Sequence, residues 1–447
     1  MIGLAERMDD VALATLLLVI VATPWPLGSR LAWASMLFAG IVIAVAVLWT
    51  AARLLAGSST RALPFAAPVA AFLAWTGSQW AFGTTIYAHG TAFEWVRYLS
   101  YAAAFLMALN LAADERRARR LQRAVMWTGV AVGLFGLLQF LTWNGKLFWV
   151  YEPYLGGTAF GPFNNRNYFA GYLVATLPVA VAALLGGTRR RRWLLMLGVW
   201  ASSLAVLLSL SRGGTVALVA AVACAWLLSR PAAGPTAERR RRLAFGAAVG
   251  VASLIVGLVW LDQADRVIAR LETILDLQST ASMVNRTDIW RDTLPMAIDR
   301  PLAGFGLNTY VWALPAYRRT PTSFLETNAH NEYLEMLVET GVVGVVLCVW
   351  FLAALLRGAI GRLAALPMRS RRARCVGAVS AWTGILVYGL TDFPTIIPAI
   401  DYVLAVLAGL MVAVTAPRAV DPPRRRHGGS RTTKRRRSVV VKVAVAR

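Results

Sequence analysis

Apolar residues run in long unbroken blocks along most of the chain, and short clusters of arginine, glycine and proline separate the blocks. Blocks of about 18 to 25 apolar residues can cross a hydrocarbon core of roughly 30 Å as helices, and the alternating pattern of a membrane barrel strand does not recur. Hydropathy read with its breakers predicts twelve spans, near 11–27, 32–55, 63–82, 93–112, 124–142, 167–187, 193–210, 214–229, 243–261, 331–356, 375–391 and 396–416. The fold class that follows is all-α: a polytopic membrane protein of about twelve transmembrane helices. Its organisation reads as helices one to nine over 1–261, a long loop over 262–330, helices ten to twelve over 331–416, and a basic tail, expected to be disordered, over 417–447. Within the long loop, "DRVIARLETILDLQ" and "RTDIWRDTLPMAI" carry apolar residues at helical spacing and predict short amphipathic helices near the membrane surface.

Composition agrees with this pattern. Hydrophobic residues make up 58% of the chain and charged residues 15%, against roughly 45–50% and about 25% in an ordinary soluble domain. The opening "MIGLAERMDD" lacks a positive n-region and the first apolar block ends in "TPWPLG" without a small-x-small cleavage site, so that block is expected to be a retained span. Cys224, Cys348 and Cys375 have no CxxC spacing, which suggests neither a disulfide framework nor a zinc site.

The net charge of +24 changes the picture only through where it falls. The arginines stand in short runs between spans rather than on one soluble face, which argues for topology and against nucleic acid as a partner. With the N-terminus inside, 34 of the 46 Lys and Arg collect on one side. The positive-inside rule then makes both termini cytoplasmic and leaves two exoplasmic loops of substance, 143–166 and 262–330. The second is 69 residues long with eight acids and seven arginines, longer than a connector needs to be.

Candidate chemistry gathers on that outer side. His330 stands where the long loop enters the tenth span, and helix capping there falls to Asn328 or Asn331, so the imidazole has no structural duty. Glu332, Glu335 and Glu339 form one stripe at i, i+3 and i+7, which must face protein or water. The spacing is not HExxH, and with only His89 and His427 besides, no metal site is expected. Arg212, in "SLSRGG", is a guanidinium at a span boundary that calls for an anion or a wet cleft. Arg286 and Arg291 lie in the loop that ends at His330. "GPFNNRNYFAGYL" puts Asn164, Asn165, Arg166 and Asn167 at a helix N-terminus, where free N–H groups favour anions. "GFGLNTY" at 304–310 follows no βα unit and is discounted as a dinucleotide loop. Glu94 and Arg97 are one turn apart and expected to pair; His89 is left without a role, and Asp392, in "LTDFP", also reaches the outer face, where it is a minor candidate to line the cleft.

Together these stretches resemble the O-antigen ligase and O-antigen polymerase superfamily, most closely the lipid A-core:O-antigen ligases. His330, Asn331, nine residues, Gly341, two residues and Gly344 match the ligase signature, and "SLSRGG", "NRTDIW" with "RPLAGFGLNTY", and "GPFNNRNYFAGY" follow the family's order and spacing over roughly residues 90–415. The resemblance implies a metal-independent glycosyltransferase without a cofactor, in the bacterial inner membrane with its site on the periplasmic face. The implied donor is a glycan on undecaprenyl pyrophosphate, and the acceptor is lipid A-core or another glycan. On that resemblance His330 is the general base, Arg212 and Arg286 hold the pyrophosphate, and Arg166, Asn167, Arg291, Asn331, Glu332 and Glu335 bind substrate or, for the two glutamates, orient the imidazole. Polymerisation of lipid-linked repeats is the alternative within the class; a secondary transporter is the alternative outside it.

Overall fold

Apolar blocks bounded by glycine, proline and arginine become helices, because in a bilayer a backbone must satisfy its own hydrogen bonds. The computed structural model describes residues 2–57, 65–153, 159–186, 192–229, 281–319, 326–363, 365–366 and 369–415. Its principal helices are α1 (Ile2–Ala22), α2 (Ala32–Leu55), α3 (Ala66–Ala81), α4 (Ala88–Leu111), α5 (Glu115–Leu141), α6 (Arg166–Leu185), α7 (Arg192–Leu208), α8 (Arg212–Leu228), α9 (Ala281–Asp299), α10 (Glu332–Leu363), α11 (Arg369–Tyr388) and α12 (Pro398–Thr415). Among the described residues there is no sheet, only two isolated bridges.

Eleven of the twelve predicted stretches fall on α1–α8 and α10–α12, while 243–261 lies outside the described residues. By length and composition four helices, α2, α5, α6 and α10, are long and apolar enough to cross a membrane; α7, α8 and α12 are apolar but shorter. Of the two amphipathic helices predicted in the long loop, the second is α9, and the first, like the basic tail, lies outside the described residues.

α11 packs against α6 and α8, and α12 against α4 and α11. Small residues let the backbones close: a Cβ on Gly409 of α12 would stand 2.7 Å from Ala108 and from the Leu109 nitrogen of α4. In lipid, where apolar surface gains little by leaving the tails, such close packing supplies much of the helix association.

One end of the bundle is tied by ion pairs. Asp9 of α1 meets Arg53 of α2 at 2.9 Å and Arg117 of α5 at 2.7 Å, and Glu115 of α5 meets Arg374 of α11 at 2.6 Å. Asp114 caps α5 by accepting from the backbone N–H groups of Arg116 and Arg117. α11 starts at this basic end and finishes, at Tyr388, at the opposite one, where α6, α8, α10 and α12 begin.

α10 departs from the single span predicted near 331–356. It is broken at Gly341, whose φ of 67° and ψ of −176° belong to a region open essentially to glycine alone. The break frees the carbonyls of the turn before it. Phe305 N–H donates to Val338 O at 2.9 Å, Gly306 N–H to Glu339 O at 2.8 Å, and Trp75 Nε1 of α3 to Thr340 O at 2.9 Å. Val342 N–H returns to Pro301 O at 2.8 Å. The loop "RPLAGFG" thus docks edge-on against the broken helix, a buried irregular backbone of the kind tolerated only inside protein.

Candidate functional site

His330 is the residue just before the cap of α10, and its φ of 51° is left-handed, unusual outside glycine. Three contacts hold the chain there. Glu335, one turn into α10, accepts from Asn328 Nδ2 at 2.7 Å and from Ala329 N–H at 2.9 Å. Trp290 Nε1 of α9 donates to Ala329 O at 2.8 Å. Asn331 caps the helix, accepting from Tyr333 and Leu334 N–H at 3.1 and 3.0 Å.

The imidazole faces two carboxylates. Nδ1 is 3.9 Å from Asp392 Oδ1 and Nε2 is 4.0 Å from Glu326 Oε2, too far for direct hydrogen bonds, and Nδ1 is buried without a partner. The ring lies edge-on to Phe393 with centroids 4.9 Å apart. Burial, and after it the nearby Arg286 charge, push the imidazole down to about 4, so it is a neutral acceptor throughout the neutral range.

Asp392 is the hub. Arg286, carried by α9 one turn before Trp290, brings Nη2 to 3.9 Å from Asp392 Oδ2. Phe393 N–H donates to Oδ1 at 3.0 Å, the Tyr388 hydroxyl is 3.3 Å from Oδ2, and the Asn167 side chain hydrogen-bonds the carboxyl as well. Burial pushes this carboxyl above its ordinary range and the Arg286 guanidinium draws it back. From Asp392 the network reaches two more helix starts. Tyr388 lies 2.9 Å from the Asn167 carbonyl and 3.3 Å from Ser211 Oγ, and Ser211 donates to Asn167 Oδ1 at 2.9 Å. Asn165 caps α6, and Ser211 caps α8, so Arg166 and Arg212 open their helices at this same end. Gly213 approaches so closely that a Cβ would be 2.5 Å from Thr391 Oγ1, which seats the start of α8 directly against the segment leading to Asp392.

His330, Arg286, Asn167 and the start of α8 carrying Arg212 are therefore brought to one end of the bundle. Arg291 is not: it pairs with Asp288 at 3.0 Å and its side chain is 77% exposed, since five residues turn a helix by roughly 140° from the face of Arg286. The glutamates do not touch the imidazole. Glu335 holds the backbone before it, Glu332 accepts from the Thr395 hydroxyl, and Glu339 accepts from Asn308 and Tyr310 N–H at 2.8 and 3.0 Å. The stripe is thus a set of clamps for three loops, and Asn331 is a helix cap. Glu94 and Arg97 pair at 2.7 Å, and Arg97 also donates to Ile396 O at 2.9 Å; His89 lies against Tyr87. Sequence reasoning missed Tyr388, Trp290 and the weight of Asp392, for which an acid before "FP" at a span end was the available signal.

A cavity of about 300 Å³ opens beside the site between α3, α4, α10, α11 and α12. Phe72, Tyr98, Phe105, Met336, Phe351 and Trp382 wall it, with Glu332 and Thr395 at its head. It contains none of His330, Arg286 or Asp392, and adjoins them through Glu332 and Thr395.

An all-helical membrane bundle with a buried polar cluster at the ends of its helices matches, over residues 197–349, the protein family described as O-Antigen ligase. The chain is also 26% identical over 306 residues, 64% of its length, to the Exopolysaccharide production protein ExoQ of Rhizobium meliloti (strain 1021), and the match spans 66% of that relative, just under two thirds. These two similarities, to a family described as O-Antigen ligase and to an exopolysaccharide production protein, point toward a polysaccharide-related membrane protein. Both similarities support the resemblance to the O-antigen ligase superfamily that the motifs carry, the family match covering about a third of the chain.

Proposed function

We propose that the protein transfers a glycan from a polyprenyl pyrophosphate donor to a sugar hydroxyl, with O-antigen ligation to lipid A-core as the leading reading. The observation that carries it is the meeting of His330 and Arg286 on Asp392 at the helix end where Arg212 also stands. His330 takes the acceptor's hydroxyl proton as the new C–O bond forms, and the bond from the anomeric carbon to the phosphate oxygen breaks. Attack opposite the leaving group inverts that carbon. The pyrophosphate departs with the bonding electrons, and Arg212 and Arg286 balance its growing charge. Guanidinium suits this because it stays protonated and chelates two phosphate oxygens. Asp392 orients the imidazole and stabilises it once protonated, with Tyr388 and Asn167 fixing the carboxylate.

The apolar cavity beside the site suits part of the donor's lipid tail. The arginine-rich end of the bundle is the cytoplasmic one under the positive-inside rule, which puts both termini inside and His330 at the periplasmic face of the inner membrane. The charged groups sit at helix ends rather than midway along them, which disfavours the transporter reading. Similarity to an exopolysaccharide production protein favours a second reading, in which the acceptor is another lipid-linked glycan.

Deleting the gene and sizing the glycan on its lipid carrier tests the proposal. Ligation predicts full-length glycan retained on the carrier with bare acceptor; loss of chain length points instead to polymerisation, and unchanged glycan on both excludes glycan transfer.

A further inference from the structure

Between α1 and α2 the chain turns through Leu27, Gly28 and Ser29, three consecutive residues with left-handed φ values of 57°, 73° and 60°. Such a turn persists only where its surroundings hold it. Here Gly28 N–H donates to Pro24 O at 2.9 Å, Ser29 N–H to Pro26 O at 2.9 Å and Ser29 Oγ to Thr23 O at 2.8 Å. A Cβ on Gly28 would stand 2.7 Å from Phe163 and 2.8 Å from Ile397, so the turn is seated against the segments that precede α6 and α12.

The turn delivers Arg30 to a fixed place at the same helix end as His330. Its Nη1 donates to the Tyr168 hydroxyl at 2.5 Å and its guanidinium lies over the Tyr168 ring, 5.2 Å from the centroid. Tyr168 directly follows Asn167. Its ring is 6.0 Å from Phe393, and the Phe393 ring is 4.9 Å from His330. Asp392 and Glu335 are both within electrostatic reach of Tyr168.

Charge balance separates Arg30 from the buried arginines elsewhere. Arg53 and Arg117 share Asp9, Arg374 has Glu115 and Arg97 has Glu94. Among the described residues no carboxylate lies within ion-pair distance of Arg30, whose partner is a neutral phenol. An arginine serving only to reach water would extend along a free path; Arg30 is instead half-buried and held against an aromatic ring whose chain neighbour belongs to the Asp392 network.

We infer that Arg30, fixed by Tyr168, is a further oxyanion-binding residue of the site and takes a phosphoryl group of the lipid pyrophosphate donor. This rests on the transfer reading above. A pyrophosphate spreads its charge over two phosphoryl groups, and Arg30 from the α1–α2 turn adds a planar donor fork to those of Arg212 and Arg286.

The test uses the full chain in detergent micelles, with glycan-free undecaprenyl pyrophosphate as the binding probe and transfer kinetics alongside. Arg30→Ala is expected to weaken probe binding about tenfold or more and to raise the donor KM with it. Arg30→Lys should restore part of the affinity, because it keeps charge without the fork, and Tyr168→Phe should weaken binding by less than Arg30→Ala. If Arg30→Ala lowers the unfolding temperature so far that it is not folded, Tyr168→Phe carries the test alone, and unchanged probe binding in it overturns the inference. Unchanged probe affinity and donor KM in folded Arg30→Ala, with transfer still dependent on His330, overturns the inference and leaves the transfer reading standing. A rise confined to the acceptor KM also overturns it, by assigning the anion to the acceptor. Failure of the wild type to bind the probe sinks the transfer reading and this inference together.

Discussion

At the scale of single residues, the site turns on an imidazole kept neutral by its neighbours. Burial and the Arg286 cation push His330 down to about 4, and burial pushes the neighbouring Asp392 carboxyl up while Arg286 draws it back, so an acid limb of activity belongs to the imidazole. Glu326, 4.0 Å away, faces the same ring. A base with a depressed pKa stays competent as pH falls, so transfer should hold level from neutrality to about pH 5 and then decline. Removing the cation acts on both groups in one direction. Imidazolium is disfavoured by burial alone and the Asp392 carboxylate loses its partner, so in Arg286→Gln the acid limb should move up towards neutrality. A pH–rate profile of the reconstituted variant checks this; a limb moving down would contradict the assigned contacts. At this scale the gathering of His330, Arg286 and the helix start that carries Arg212 was legible because residue type and motif spacing lie in the linear text. Asp392 was not, because its importance comes from Asn167, Tyr388 and Arg286 meeting it across three helices. Arg291 lies on another face of α9 and pairs with Asp288, which its nearness in sequence to Arg286 does not reveal.

At the scale of elements, the broken helix α10 organises the site. Its first turns clamp three loops through Glu332, Glu335 and Glu339, and its break at Gly341 accepts the 301–306 strap, which carries α9 and with it Arg286 and Trp290. Of the four signature residues, His330 alone is proposed to perform chemistry. Asn331 caps, Gly341 permits the break, and Gly344 makes room for Thr340, whose Oγ1 would stand 2.0 Å from a Cβ there. A Cβ on Gly341 would lie 2.1 Å from Leu302 O, in a backbone conformation closed to alanine. Gly341→Ala should therefore destabilise the fold by about 3 kcal/mol or more. Thermal unfolding in detergent reads this as a marked fall in midpoint; an unchanged midpoint would mean that the strap is not docked as described. The helices themselves were legible from hydropathy, since eleven predicted stretches are helical. The break was not, because one glycine in an apolar run carries no local sign that a distant loop will take up the freed carbonyls.

At the scale of the whole molecule, the two ends of the bundle differ in kind. One is stitched by arginines to Asp9 and Glu115, the other gathers His330, Asp392, Arg286 and the starts of α6 and α8. This polarity was legible from the arginine runs alone. The family match over 197–349 includes Arg212, Arg286 and His330 but stops short of Asp392 and excludes Asn167, so the completed site is a property of the folded chain beyond that segment. With Cys224, Cys348 and Cys375 replaced by alanine, single cysteines at exposed Arg116 and Leu390 should react with an impermeant thiol reagent from opposite sides of the membrane, Leu390→Cys from outside. Labelling of both from one side would remove the topology. The most direct test of the whole account is glycan transfer from a lipid pyrophosphate donor by the purified protein, comparing wild type with His330→Ala under saturating donor and acceptor. The account predicts a loss of rate of about 10²- to 10⁴-fold with donor binding retained; transfer at the wild-type rate in the variant would contradict it.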